Sequence, residues 1–340
     1  MDTSKLKPND PRVTSHTETI RGKKYHYIVG EPQGTKVGTM LLVHGFPDMG
    51  FGWRAQVPYF MSRGYQVIVP DMVGYARTDA PADLSHYTFK STAADMAELA
   101  RKFVGPDGQI VLGGHDWGGL VAWRLVDRYP ALVRRAFVVC TPYMKPSTQY
   151  TPLEDLIKAG ILTNFTYQLQ FGGPEVEERV QGRDRIRQML NGLFGGQGPN
   201  GELGMRVSSG VVFENLDKLG PSPLLSADEL DFYADEYARQ AAPELRGPLN
   251  WYRTRKLNFE ADRELATEGR GKVPVPSLFI AASRDAALPP ALSSAMDEQF
   301  EDLTKAEVDA SHWALVEKAD EVNSIVSEWL EKKASTKASL

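Results

Sequence analysis

Six residues, Gly114-His115-Asp116-Trp117-Gly118-Gly119, lie between the apolar run 109–112 and a helical stretch that begins at Leu120. A strand has to turn directly into a helix there. The glycines let the two elements pack closely and leave Asp116 at the apex of a strained turn. Such a juncture belongs in a sheet whose strands are followed by helices, and the rest of the chain has that rhythm. Runs rich in β-branched residues predict strands at 17–21, 24–29, 39–44, 66–70, 109–113, 135–140, 277–282 and 306–309. Helices are expected between them at 52–63, 92–103, 118–129, 290–299 and 319–332. The pattern implies an α/β architecture with a mostly parallel, eight-stranded sheet covered by helices on both faces.

The rhythm breaks between Cys140 and Ser277, where a long helical segment interrupted by Gly and Pro replaces a short crossover. It reads as a helical cap inserted between strands six and seven. Residues 1–142 and 271–340 then form the core and 143–270 the cap. Within the cap, 175–193, 227–240 and 249–258 look helical, and 195–210 reads as a mobile Gly-rich loop. The polar tail 331–340 is expected to fray.

Composition limits the partners. With 340 residues, 42% apolar, a net charge of −5 and scattered Lys and Arg, the chain suits a small neutral ligand. Nucleic acid and anionic membranes do not fit that surface. No stretch reaches the about 18 apolar residues of a membrane span, and the polar start 1–24 has no signal-peptide core. The lone cysteine, Cys140, lies in an apolar run and reads as a buried, inert thiol. A cytoplasmic protein is expected, as a monomer or homodimer. The last three residues, Ala338-Ser339-Leu340, match a peroxisomal address too loosely to imply import.

A carboxylate at the apex of the turn points to chemistry at saturated carbon. It attacks to form an alkyl ester, which water can then cleave at the carboxyl carbon. That second step needs a base, and the base needs a carboxylate to orient it. Of six histidines, His312 lies after a strand-like run near the C-terminus, where the loop falls beside the turn. Asp285, just past the end of the strand at 277–282, supplies the acid. The order nucleophile, acid, histidine is that of an α/β-hydrolase fold. His44-Gly45-Phe46-Pro47 follows the third strand, so the amides of Phe46 and Trp117 can form an oxyanion hole, with Pro47 expected to be cis. No cofactor or metal is called for.

The electrophile is read from the cap. An epoxide oxygen needs an acid when the ring opens, and the phenols of Tyr167 and Tyr252 can donate at neutral pH. A halide leaves without protonation, and among 13 tyrosines the residues alone do not single out this pair, so both electrophiles stay open at this point. The motifs His44-Gly45-Phe46-Pro47, Gly114 to Gly119, Tyr167-Gln168-Leu169, Asn250-Trp251-Tyr252-Arg253 and Ser311-His312-Trp313 resemble those of the soluble epoxide hydrolases, most closely the fungal ones, from about 17 to 330. The resemblance implies Asp116 as nucleophile, Tyr167 and Tyr252 as paired acids, Asp285 and His312 as the charge pair, and the two amides as the oxyanion hole. It also implies that the phosphatase domain and membrane anchor of some relatives are missing. Phe46, Trp117, Phe165, Leu169 and Trp313 are expected to line a pocket for a small apolar epoxide, with water as co-substrate. A haloalkane or haloacid dehalogenase and a silent ligand-binding homologue remain the alternatives.

Overall fold

A computed structural model describes residues 2–267 and 271–338, with the side chains of 334–338 left out of the description. Strands β1 (Val13–Ile20), β2 (Lys23–Gly30), β3 (Gly38–Val43), β4 (Tyr65–Pro70), β5 (Ile110–His115) and β6 (Val133–Val139) form the first part of the sheet. A small hairpin, β7 (Met205–Arg206) with β8 (Gly210–Val211), stands apart from it, and β9 (Ser277–Ala282) and β10 (Leu303–Val308) complete it. The eight-stranded order is β1-β2-β4-β3-β5-β6-β9-β10. β1 runs antiparallel to β2 and β2 to β4, and every other pair is parallel. β5 and β9 are buried along their whole length, which is why they appear in sequence as unbroken apolar or small-residue runs.

Helices α1 (Gln56–Ser62), α2 (Phe89–Val104) and α3 (Trp117–Arg128) cover the sheet. The cap between β6 and β9 holds α4 (Leu153–Lys158), α5 (Tyr167–Gly172), α6 (Glu175–Arg179), α7 (Arg183–Leu193), α8 (Ala227–Tyr237), α9 (Arg246–Asn250) and α10 (Arg255–Thr267). α11 (Ala314–Glu317) and α12 (Ala319–Ala338) follow β10. Among the described residues no helix is long and apolar enough to cross a membrane.

Several boundaries differ from the sequence expectations. β1 pairs with β2 from Val13↔Gly30 to Ile20↔Lys23, and Arg21 and Gly22, both at positive φ, make the hairpin turn rather than extending the strand. β10 starts at Leu303, three residues before the expected strand. The helix expected at 175–193 is broken into α6 and α7 at Gly182, whose φ is +74°. The one expected at 249–258 becomes the end of α9, a 3₁₀ turn at Trp251–Arg253 and the start of α10. At 290–299 there are only two short 3₁₀ turns, Pro290–Ser293 and Met296–Glu298. The Gly-rich segment 195–210 is folded on itself, with Gly198 N–H donating to Glu202 O at 2.9 Å and β7 pairing with β8. α12 extends the C-terminal helix to Ala338, and Ser339-Leu340 of the suggested address lie outside the described residues.

The cap is fastened over the C-terminal ends of the strands by side chains that reach loop carbonyls. Tyr237 Oη donates to Pro47 O at 2.7 Å, and Trp251 Nε1 to Val73 O at 3.0 Å. Asn164 donates to Ala287 O, in the loop that carries Asp285.

Candidate active site

Asp116 joins β5 to α3 with φ 53° and ψ −128°, a conformation that non-glycine residues rarely adopt. The turn is packed so closely that its neighbouring glycines leave no space for a side chain. A Cβ on Gly118 would lie 2.2 Å from Val43 O, and one on Gly45 would lie 2.2 Å from Asp116 Oδ1 and 2.5 Å from Trp117 N. The main chain of the His44-Gly45-Phe46 loop is thereby pressed against the carboxylate. Phe46 N–H donates to Asp116 Oδ1 at 2.7 Å, and the Trp117 amide, which opens α3, borders the same spot.

His44 shapes that loop. Its Nε2 accepts from Met72 N–H at 2.9 Å, so Nδ1 carries the proton and donates to Gly45 O at 2.9 Å. Burial lowers its pKa against the pull of Asp71 and keeps the ring neutral, as this bonding requires. The Phe46-Pro47 peptide is cis.

On the other side of Asp116, His312 Nε2 lies 3.5 Å from Asp116 Oδ2, and His312 Nδ1 lies 2.7 Å from Asp285 Oδ2. Asp285 Oδ1 accepts from the Ala287 and Leu288 amides, each at 2.8 Å. Burial alone would raise the pKa of this carboxyl, but the His312 charge and those three donors lower it to about 2. For His312, burial opposes the charged form, and Asp285 together with Asp116 outweighs it, raising the pKa well above the ordinary histidine value. The structure thus brings Asp116, His312 and Asp285 together, with His312 hydrogen-bonded to Asp285 and in charge contact with Asp116.

The two tyrosines come from separate parts of the cap. Tyr167 begins α5 and Tyr252 lies in the 3₁₀ turn after α9, with ring centroids 6.1 Å apart. Burial raises both pKa values, and the Asp116 charge raises them further, with Tyr167 adding to the shift at Tyr252. Both phenols are therefore protonated at neutral pH. Tyr252 also makes edge contacts with Phe46 at 5.4 Å and Trp117 at 5.0 Å, which links the cap tyrosine to both proposed oxyanion residues.

Among the expected lining residues, Phe46 and Phe165 are buried, and Trp313 stands edge-on to His312 at 5.3 Å. Leu169 is a correction. It lies two residues beyond Tyr167 on α5, about 200° round the helix, and is 38% exposed, so it does not share the tyrosine's face. That face belongs to Phe171, which packs on Tyr167, Phe46 and Tyr252 at 5.0–5.4 Å. The i, i+4 spacing from Tyr167 was the signal for it. Cys140 is buried, and burial with the nearby Asp285 charge pushes its thiol pKa well up, as an inert cysteine requires.

A mostly parallel sheet with a carboxylate at this turn, an Asp-His pair in the loops after β9 and β10 and a helical cap defines a class, the α/β hydrolases. Residues 38–319 match the family model of the alpha/beta hydrolase fold. The chain is 40% identical to epoxide hydrolase srdG of Neurospora crassa over 98% of its own length and 99% of that protein. It is 30% identical to bifunctional epoxide hydrolase 2 of Sus scrofa over 96% of this chain, which spans only 57% of that longer protein. The crystal structure of epoxide hydrolase A from Mycobacterium thermoresistibile superposes with a TM-score of 0.76 at 27% identity, covering 94% of this chain and 98% of that one. The chain belongs to the epoxide hydrolases of the α/β-hydrolase fold.

Proposed function

We propose that this protein converts epoxides and water to vicinal diols through a covalent ester on Asp116. The observation that carries the reading is the setting of the Asp116 carboxylate. Its Oδ1 is held by the Phe46 amide, and its Oδ2 faces His312. Oδ2 attacks a ring carbon, the carbon–oxygen bond of the epoxide breaks, and its electron pair goes to the oxygen. Tyr167 and Tyr252 hydrogen-bond that oxygen and protonate it. Oδ1 becomes the carbonyl oxygen of the ester, already within reach of the amide donor that will stabilise it.

Water then reacts at the Asp116 carboxyl carbon. His312 takes the proton, Asp285 keeps the imidazole oriented and stabilises its charge, and the amides of Phe46 and Trp117 hold the oxyanion. Collapse of that intermediate breaks the bond between the carboxyl carbon and Oδ2, His312 returns its proton to that leaving oxygen, and the diol is released. The aromatic surroundings, Phe46, Trp117, Phe171 and Trp313, suit an aryl or alkyl epoxide without charge.

A single turnover with enzyme in excess over styrene oxide in ¹⁸O-labelled water tests the scheme. Unlabelled first-turnover diol is expected, because its new oxygen comes from Asp116. Labelled diol would mean direct attack by water and would remove Asp116 as nucleophile.

A further inference from the structure

His115 precedes Asp116 at the end of β5, and the scheme above gives it no task. Its side chain is buried, its Nε2 lies 2.9 Å from the main-chain oxygen of His312, and the two rings are 4.9 Å apart. A carbonyl oxygen only accepts, so Nε2 carries the proton. Nδ1 is buried without a hydrogen-bond partner among the described residues. Protonating it would bury an unpaired N–H and a second charge beside His312, and burial and the His312 charge accordingly push the pKa of His115 down. The neutral tautomer is the one that binds the carbonyl.

Cys140 adds a second donor. It follows the end of β6 at φ +66°, and its thiol points at the same His312 oxygen from 3.5 Å. Two neighbouring strand ends thus converge on the main chain of one loop residue. The same loop is also held from the β9 side, by Arg284 N–H donating to Ala310 O at 2.9 Å, by the Arg284 guanidinium on Asp309 and by Asp285 on His312 Nδ1. The bonds from His115 and Cys140 are therefore the ones that tie it to β5 and β6. Ser311 is tied to Glu317 through its N–H and its hydroxyl, which shapes the loop but does not set its distance from β5.

We propose that His115 is a positioning residue, which through the His312 carbonyl sets the reach of His312 Nε2 toward Asp116 and so the rate of ester hydrolysis. The inference rests on the covalent reading above. Formation of the ester makes no use of His312, so losing the His115 donor slows the second step and spares the first. Cys140, a weaker sulfur donor, contributes less.

The test uses three forms of the full-length protein with styrene oxide: wild type, His115→Leu and His115→Gln, whose amide nitrogen reaches the position of Nε2. Rapid quench with mass spectrometry follows the ester on Asp116. In His115→Leu we expect near-normal ester formation, ester accumulation and hydrolysis slowed about tenfold to a hundredfold, the order of loss that follows a misplacement of about 1 Å. The kcat and KM should fall together with kcat/KM held, and His115→Gln should recover most of the rate. A general packing defect would instead lower kcat and kcat/KM at constant KM.

Hydrolysis at the wild-type rate in His115→Leu, or equal slowing of both steps with no gain in His115→Gln, would overturn the proposal. Should His115→Leu fail to fold, His115→Asn, polar but too short for the carbonyl, replaces it. Ester accumulation in Asn but not in Gln is expected, and equal behaviour overturns the idea. Absence of ester from every form, a His312→Gln control included, would overturn the covalent scheme itself and this inference with it.

Discussion

The Nε2 nitrogen of His312 lies 3.5 Å from the Oδ2 oxygen of Asp116, so the residue read as base is an ion-pair partner of the residue read as nucleophile. In the resting protein the pair holds His312 in its charged form, with Asp285 on the other side. A charged imidazolium does not impede attack on the epoxide, since that step requires no base. Once Asp116 becomes an ester it is neutral, and one of the two carboxylates that raise the His312 pKa is gone. The chemistry of the first step thereby prepares the base for the second.

Two midpoints should therefore differ. NMR titration of resting His312 is expected to show a pKa well above the ordinary value of about 6.5. The single-turnover rate of ester hydrolysis should rise with pH through a lower apparent pKa. Coincident midpoints would mean that the Asp116 charge has no hold on His312.

Asp285→Asn should leave ester formation intact and stop its hydrolysis. The carboxylate accepts from His312 on one oxygen and from two amides on the other, and an amide cannot accept on both sides. A loss of about 10³ to 10⁴-fold in kcat is expected, the scale of the same change in serine-protease triads. Stability carries a second signature. With its pKa lowered to about 2, the folded carboxylate stabilises the protein fully above the ordinary value of about 3.9, and that contribution is lost as pH falls through about 2. The variant should show a weaker dependence of unfolding free energy on pH across that window, and an unchanged acid limb would contradict the assignment.

The tyrosines are expected to back each other up. Tyr167→Phe or Tyr252→Phe alone should slow ester formation modestly, since the partner still donates. The double change should cost on the order of 10²-fold or more, if the loss of an oxyanion donor is a fair guide. Stopped-flow quenching of tryptophan fluorescence would follow the step, and full activity in the double variant would remove the phenols from the mechanism.

Two members of the proposed line were legible because they follow buried apolar strands, Asp116 after β5 and Asp285 after β9, whereas His312 follows β10, a partly exposed strand that mixes polar and apolar residues. Burial makes such strands conspicuous in sequence, and the loops after them collect at one edge of the sheet. The cap was less legible. Its helices are short and cut by backbone features that leave weak traces, such as the positive φ of Gly182, and helix α4 has only six residues beside a proline. Leu169 is close to Tyr167 in sequence, but two residues along α5 turn its side chain about 200° away from the tyrosine's face. The bond from His115 to His312 spans 197 positions, and no local pattern announces it.

Fastening of the cap to the core should depend on Asp262. In α10 it accepts from Arg124 Nε at 2.5 Å and from Arg128 Nη2 at 2.8 Å, both on α3, and the side chains of Arg124 and Asp262 are 7% exposed. A carboxylate shared by two guanidinium groups there offsets charges that water cannot reach. Asp262→Asn keeps the shape and removes the charge, leaving Arg124 with Asp127 at 3.3 Å and Arg128 with Glu264 as their remaining carboxylates. The cost should therefore be less than the about 3–5 kcal/mol of a buried charge that loses its sole partner. The urea midpoint should fall by a corresponding amount with little change in slope. Because Asp262 touches none of Asp116, His312, Asp285, Tyr167 or Tyr252, the folded fraction should retain its turnover at low temperature. A variant as stable as wild type would mean that the helix interface is held by packing and the remaining ion pairs.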